Sequence, residues 1–180
     1  MNLPNKITLA RIFLIPLFIA VLMTRGFMFC DIASALIFAV AALTDGIDGY
    51  LARKNNQVTD LGKFLDPIAD KLLIASALIC LVELQRIPAY MAIIIIAREF
   101  IVTGLRIVAI SNGVVMAAEM TGKIKTVIQI IATVITLLFP NVPVFGTTLG
   151  WVAMLIATLF TIYSGYVYLS KNWDMVINSK

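Results

Sequence analysis

Six stretches of this chain, 7–24, 32–53, 61–82, 88–112, 122–139 and 147–170, are apolar almost throughout. Each is close to the roughly 20 residues of helix that cross a bilayer core about 30 Å thick. Lipid offers no water to backbone N–H and C=O groups, so an open chain that enters it must be helical. The sequence therefore predicts an all-α integral membrane protein of six transmembrane helices, built as a single domain over 1–180. Composition agrees, since 61% of the 180 residues are hydrophobic, against about 45–50% in soluble domains. Pro140 and Pro143 mark the loop before the last segment, and Pro88 opens the fourth. Lys6 and Arg11 ahead of an apolar run resemble a signal peptide, but no small-residue cleavage site follows, so the run reads as a retained first span.

The 14 basic and 10 acidic residues give a net charge of +4. In so apolar a chain this reads as positive-inside bias and site chemistry, with no nucleic-acid partner implied. Lys6, Arg11, Arg53, Lys54, Lys63, Lys123, Lys125, Lys171 and Lys180 fall at one set of ends, and only Arg25 and Arg86 at the other. That asymmetry places both termini in the cytoplasm of a multi-pass cell-membrane protein. The chain has no histidine, so a general base would have to be a carboxylate or something rarer. Cys30 and Cys80 share no metal-like spacing and read as small apolar residues.

Against this background, "LTDGIDGYLAR" (43–53) and "DLGKFLDPIADKLL" (60–73) stand out. Asp45 and Asp48 are three residues apart, Asp66 and Asp70 four apart, so each pair shares a helix face. Both pairs sit inside the cytoplasmic ends of adjacent antiparallel helices, which predicts four carboxylates converging on one water-accessible pocket. Unpaired, such anions cost several kcal/mol each to bury and repel one another. Hard divalent cations such as Mg²⁺, Mn²⁺ or Ca²⁺ resolve that conflict; ion pairs with Arg53, Lys63 or Lys71 are the structural alternative. Gly46, Gly49 and Gly62 suit close helix approach, while Gly49 and Ala52 leave a smooth strip beside the carboxylates. Arg53 offers a fork of donors to a phosphate.

The pattern Asp45-x-x-Asp48-Gly49-x-x-Ala52-Arg53, eight residues, then Gly62-x-x-x-Asp66-x-x-x-Asp70 resembles the signature of the CDP-alcohol phosphotransferase family at every position. The resemblance implies transfer of a substituted phosphate from a CDP-linked donor to an alcohol, releasing CMP. It implies that Asp45, Asp48, Asp66 and Asp70 hold two divalent metals, Mg²⁺ or Mn²⁺, with Asp70 also the base. It assigns Gly49, Ala52, Arg53 and Gly62, with Thr59 a weaker candidate, to the cytidine diphosphate, and it implies a homodimer.

Span four, "IIIIAREFIVTGLRIVAI", carries Arg98, Glu99 and Arg106, and "TGKIKT" places Lys123, Lys125 and Thr126 at the start of span five. A charge at mid-membrane costs about 2.5–3.5 kcal/mol on insertion scales and implies a partner. Arg98, Arg106, Lys123, Lys125 and Thr126 together suit an acceptor that itself carries a phosphate; pairing of Arg98 with Glu99 or an aspartate is the simpler reading. "LPNKITLAR", "REF…LR" and "GKIKT" also resemble the branch of the family that makes phosphatidylglycerophosphate. That branch implies CDP-diacylglycerol as donor and sn-glycerol 3-phosphate as acceptor. Asn5, Thr8 and Arg11 are candidates for the donor's phosphates, or equally for interfacial capping and anchoring. Phosphatidylinositol-phosphate or cardiolipin synthesis is the nearest alternative. A divalent-cation transporter is the alternative from another class, though it leaves the glycines and basic residues unexplained.

Overall fold

The computed structural model describes residues 3–24, 29–54, 60–111, 120–144 and 146–173, with side chains for 9–24, 29–44, 68–109, 120–144 and 146–173. The described residues form six helices: α1 (Leu3–Met23), α2 (Cys30–Lys54), α3 (Asp60–Glu83), α4 (Ala89–Ser111), α5 (Met120–Leu138) and α6 (Leu149–Lys171). Each coincides with one apolar segment. α1 begins four residues before its apolar run, because Pro4 falls in the first turn, where its missing N–H has no intrahelical partner to lose. The segment between α5 and α6, expected as a plain loop, contains a short hairpin of β1 (Pro143–Val144) and β2 (Thr147–Thr148). Pro143 pairs with Thr148 and Val144 with Thr147. A ladder this short has no alternation for a sequence reading to detect.

α1 packs on α2 and α3, α5 on α6 and α2, and α4 on α6 and α3. Small residues let the helices approach: Ala35, Ala41, Ala77, Ala132 and Ala157 are all buried. Phe18 and Phe38 fill the α1–α2 seam with ring centroids 5.8 Å apart. The large apolar side chains that point outward lie on all six helices, among them Phe13, Leu43, Ile79, Ile93, Val127 and Ile162. A soluble monomer rarely exposes apolar patches beyond a few hundred Å², so this exterior suits lipid. By length and apolarity, α5 and α6 qualify as membrane-crossing helices.

The two ends of the bundle are built differently. At the α3–α4 turn, Gln85 takes φ 56°. The Arg86 N–H bonds to the Leu81 carbonyl and the Gln85 N–H to that of Val82, closing α3 with paired capping bonds. This turn delivers Arg86 to Asp31 at the start of α2, Nη2 to Oδ1 at 2.6 Å. At the start of α6 the Thr148 hydroxyl accepts from the Trp151 N–H. The other end, where α3 and α5 begin and α4 and α6 finish, carries the charged residues singled out in the sequence.

Candidate active site

A cavity of about 230 Å³ opens at that end between α3, α4, α5 and α6. α3 contributes Asp70 and Lys71, and α4 contributes Arg98, Glu99, Thr103 and Arg106. The first turns of α5 bring Thr121, Gly122, Lys123, Lys125 and Thr126, and α6 brings Tyr168. Helical geometry accounts for the convergence. Arg98 and Arg106 are eight residues apart, a little over two turns, and so share one face of α4. The first turns of α5 lie at the same end of the bundle as the C-terminal half of α4. All five residues expected to bind the acceptor line this one space, and Asp70 borders it.

Five basic side chains against two acidic ones make the cavity cationic. The alternative pairing of Arg98 with Glu99 is present only as the looser of two contacts to that carboxylate. Glu99 Oε1 lies 3.8 Å from Arg98 Nη1, whereas the ammonium of Lys125, whose side chain is only 3% exposed, closes directly on the same oxygen. Arg98 instead donates from Nη2 to the Ser164 hydroxyl on α6 at 2.9 Å. Its buried Nε has no hydrogen-bond partner among the described residues. A buried guanidinium held by a neutral hydroxyl keeps its charge and its donors for an anion. The Thr126 hydroxyl donates to the Gly122 carbonyl one turn back. Arg106 and Lys123 are exposed, at the cavity's rim.

α2 is helical through Asp45 and Asp48, and α3 through Asp66 and Asp70, so the spacing of three and of four residues does place each pair on one helix face. Their donor set is wholly carboxylate oxygen, which fits Mg²⁺ or Mn²⁺. Asp70, half-buried at the cavity edge, is the member whose side chain is described. The side chains of Asn5, Thr8, Asp45, Asp48, Gly49, Ala52, Arg53, Gly62 and Asp66 lie outside the described residues, as does Thr59 altogether. Arg11, a candidate for the donor's phosphates or for interfacial anchoring, lies inside the bundle next to α2. It is 1% exposed in the bundle, and its Nε donates to Thr44 Oγ1 at 3.4 Å, one residue before Asp45. Burial against α2 counts against the anchoring reading and leaves Arg11 beside the aspartate segment of α2.

Sequence reading missed the contribution of α6. Its one charged residue is Lys171 at the last turn, so nothing in its composition marks Tyr168 as lining a charged site or Ser164 as holding a residue that does. Missed also was the Gln129 amide, which donates to Thr161 Oγ1 at 2.9 Å and bridges α5 to α6 below the cavity.

Residues 1–163 match the CDP-alcohol phosphatidyltransferase family. The chain belongs to that family. It is 48% identical over 191 aligned residues to the CDP-diacylglycerol–glycerol-3-phosphate 3-phosphatidyltransferase of Bacillus subtilis (strain 168), an alignment covering 99% of this chain and 98% of that protein. The proteins of the same name from Pseudomonas fluorescens and Rickettsia felis are 39% and 38% identical. Those alignments cover 96% and 93% of this chain, and 91% and 93% of the respective relatives. The matched region takes in α1 to α5 and α6 as far as Tyr163, and so includes α4 and the start of α5, which supply most of the cationic cavity.

Proposed function

We propose that this family member transfers the phosphatidyl group of CDP-diacylglycerol to sn-glycerol 3-phosphate, giving phosphatidylglycerophosphate and CMP. The observation that carries the reading is the cationic cavity bordered by Asp70, in a chain 48% identical end to end to a protein named for that reaction. An acceptor with a dianionic phosphate and a free hydroxyl is matched by such a space. Arg98, Arg106, Lys123 and Lys125 bind the phosphate, and Thr126 lies beside them. This arrangement directs the acceptor's primary hydroxyl toward Asp70. A choline or ethanolamine acceptor would meet like charge instead.

In the reaction the hydroxyl oxygen attacks the β-phosphorus of the donor. A new P–O bond forms, the anhydride bond to CMP breaks, and CMP leaves with the bonding electrons. Asp70 takes the hydroxyl proton, the role open to a carboxylate in a chain without histidine. Asp45, Asp48, Asp66 and Asp70 would hold two divalent ions, Mg²⁺ or Mn²⁺. When bound, these supply positive charge to the donor's pyrophosphate. Gly49, Ala52, Arg53 and Gly62, with Thr59, Asn5 and Thr8, would seat the cytidine diphosphate and the lipid phosphates. The chain crosses the cell membrane six times with both termini and the site on the cytoplasmic side, where CMP departs into water. It functions as a homodimer, as the family resemblance implies.

The test supplies purified protein with Mg²⁺ or Mn²⁺ and CDP-diacylglycerol, offers sn-glycerol 3-phosphate, inositol phosphate or phosphatidylglycerol in turn, and measures CMP release. Release with glycerol 3-phosphate alone is the expected result. Release with inositol phosphate or phosphatidylglycerol but not with glycerol 3-phosphate overturns the acceptor assignment.

A further inference from the structure

The Arg98 guanidinium would be a poor recognition element if it were free to swing, because a long flexible side chain loses entropy whenever it is fixed on a ligand. In this structure it is fixed beforehand, and the fixing comes from α6. Ser164, fully buried, receives Nη2 at 2.9 Å. The next residue is Gly165, where an added Cβ would stand 3.2 Å from Arg98 Cγ. The arginine's stem therefore crosses α6 at a place where the helix presents no side chain. One turn on from Ser164, buried Tyr168 forms part of the cavity wall. Glu99, the acid that could draw the guanidinium aside, meets Lys125 closely and stands 3.8 Å from Arg98 Nη1.

We infer that Ser164 and Gly165 are positioning residues for acceptor recognition: together they seat Arg98, which lines the cavity, against α6 and fix where its guanidinium lies. The inference rests on the reading of this cavity as the acceptor-phosphate site. A hydroxyl suits the task better than a carboxylate would. A carboxylate would neutralise the guanidinium and compete with the phosphate for its donors, whereas a neutral acceptor orients the fork and leaves its charge intact. The small residue beside it is equally specific, since a contact of 3.2 Å requires the arginine stem to shift by a few tenths of an ångström. A shift at the stem moves the guanidinium at its end.

Steady-state kinetics on the purified enzyme test this, with CMP release measured against each substrate separately for Ser164→Ala, Ser164→Thr, Gly165→Ala, Arg98→Ala and the double variant Arg98→Ala/Ser164→Ala. A hydrogen bond to a charged group governs the arginine's aim, so Ser164→Ala is expected to raise the KM for glycerol 3-phosphate about tenfold, with the KM for CDP-diacylglycerol little changed. Ser164→Thr keeps the hydroxyl and is expected to stay near the parent value. Gly165→Ala is expected to raise the acceptor KM with the hydroxyl still present. The double variant is expected to be no worse than Arg98→Ala alone, because Ser164 acts through Arg98.

An additive loss in the double variant overturns the inference, as does an acceptor KM that Ser164→Ala leaves unchanged. Equal rises in both KM values, or a fall in kcat alone, also overturn it, marking Ser164 as a general packing residue. Should Ser164→Ala not fold, Gly165→Ala and Ser164→Thr decide: the first must raise the acceptor KM selectively and the second must not. Arg98→Ala separates this inference from the one beneath it. No acceptor effect in Arg98→Ala removes the cavity's assignment, while an effect there with none in Ser164→Ala or Gly165→Ala removes the positioning role alone.

Discussion

Lys125 of α5 closes on Glu99 of α4, and so takes from Arg98 the carboxylate next to it in sequence. The pairing joins two helices inside the site through the more deeply buried cation, Lys125, and leaves Arg98, at 13% side-chain exposure, to the Ser164 hydroxyl. Removing one partner of a buried pair strands the other charge, a loss of about 3 kcal/mol, whereas replacing both is often near neutral. Glu99→Gln and Lys125→Met are therefore each expected to lower the Tm in detergent. The double variant should recover most of that loss while its acceptor affinity stays poor. A Glu99→Gln variant that melts with the parent would show that the ion pair does not hold α4 to α5.

That pair illustrates what the sequence could and could not disclose. Arg98, Arg106, Lys123 and Lys125 were legible as a group because helical spacing and a charge inside an apolar run are both local signals. The six helices were legible for the same reason, as lipid leaves no alternative to intrahelical hydrogen bonding. Which cation pairs with Glu99 depends on side-chain reach between helices, information that no spacing carries. Ser164 was invisible because a serine within an apolar helix looks like any small packing residue. Arg11, basic and near the chain start, suited donor phosphates and interfacial anchoring equally, and only the packing of α1 on α2 shows that it is buried.

Close approach of α5 and α6 holds Tyr168 against the cavity, and Gly150 permits that approach. A Cβ there would stand 2.9 Å from both Cα and Cγ2 of Thr136, and the backbone atom cannot rotate away. Gly150→Ala is expected to destabilise the bundle by about 1–3 kcal/mol, the usual cost of overpacking. Gly104, whose added Cβ meets nothing within 4 Å, is the control. Gly104→Ala should leave the Tm unchanged or raised, because alanine is favoured in helices by about 1 kcal/mol. Equal melting of the two alanine variants would refute the tight α5–α6 contact.

Chelation tests the reading of the four aspartates as metal ligands. Carboxylates gathered at one end of a bundle repel one another unless cations separate them. Dialysis against EDTA is expected to abolish CMP release and to lower the Tm. Either Mg²⁺ or Mn²⁺ should restore both, with Ca²⁺ a weaker substitute in catalysis because of its looser coordination. Undiminished turnover in metal-free protein would refute metal dependence.

Arg106 stands at the rim of the cavity, two turns from Arg98 on the same helix face. A charge-assisted bond to phosphate contributes about 1.5–3 kcal/mol, so Arg106→Ala should raise the acceptor KM by about 10- to 100-fold and the donor KM far less. Arg106→Lys should recover only part of the loss, since an ammonium lacks the planar fork. An unchanged acceptor KM in Arg106→Ala would place the phosphate elsewhere.

Asp70 carries the heaviest chemical assignment, because it both borders the acceptor cavity and closes the aspartate series. Asn in its place keeps the side chain's size and one oxygen but cannot take up a proton at neutral pH. General-base catalysis contributes about 10²- to 10⁴-fold, so Asp70→Asn should lower kcat by at least that much. The proposed donor site draws mainly on residues of α2 and the start of α3. The Kd for CDP-diacylglycerol, measured by calorimetry in detergent with Mg²⁺ present, should therefore change only a few-fold. Loss of binding in step with turnover would make Asp70 chiefly a metal ligand, and substantial turnover in Asp70→Asn would remove it as the base.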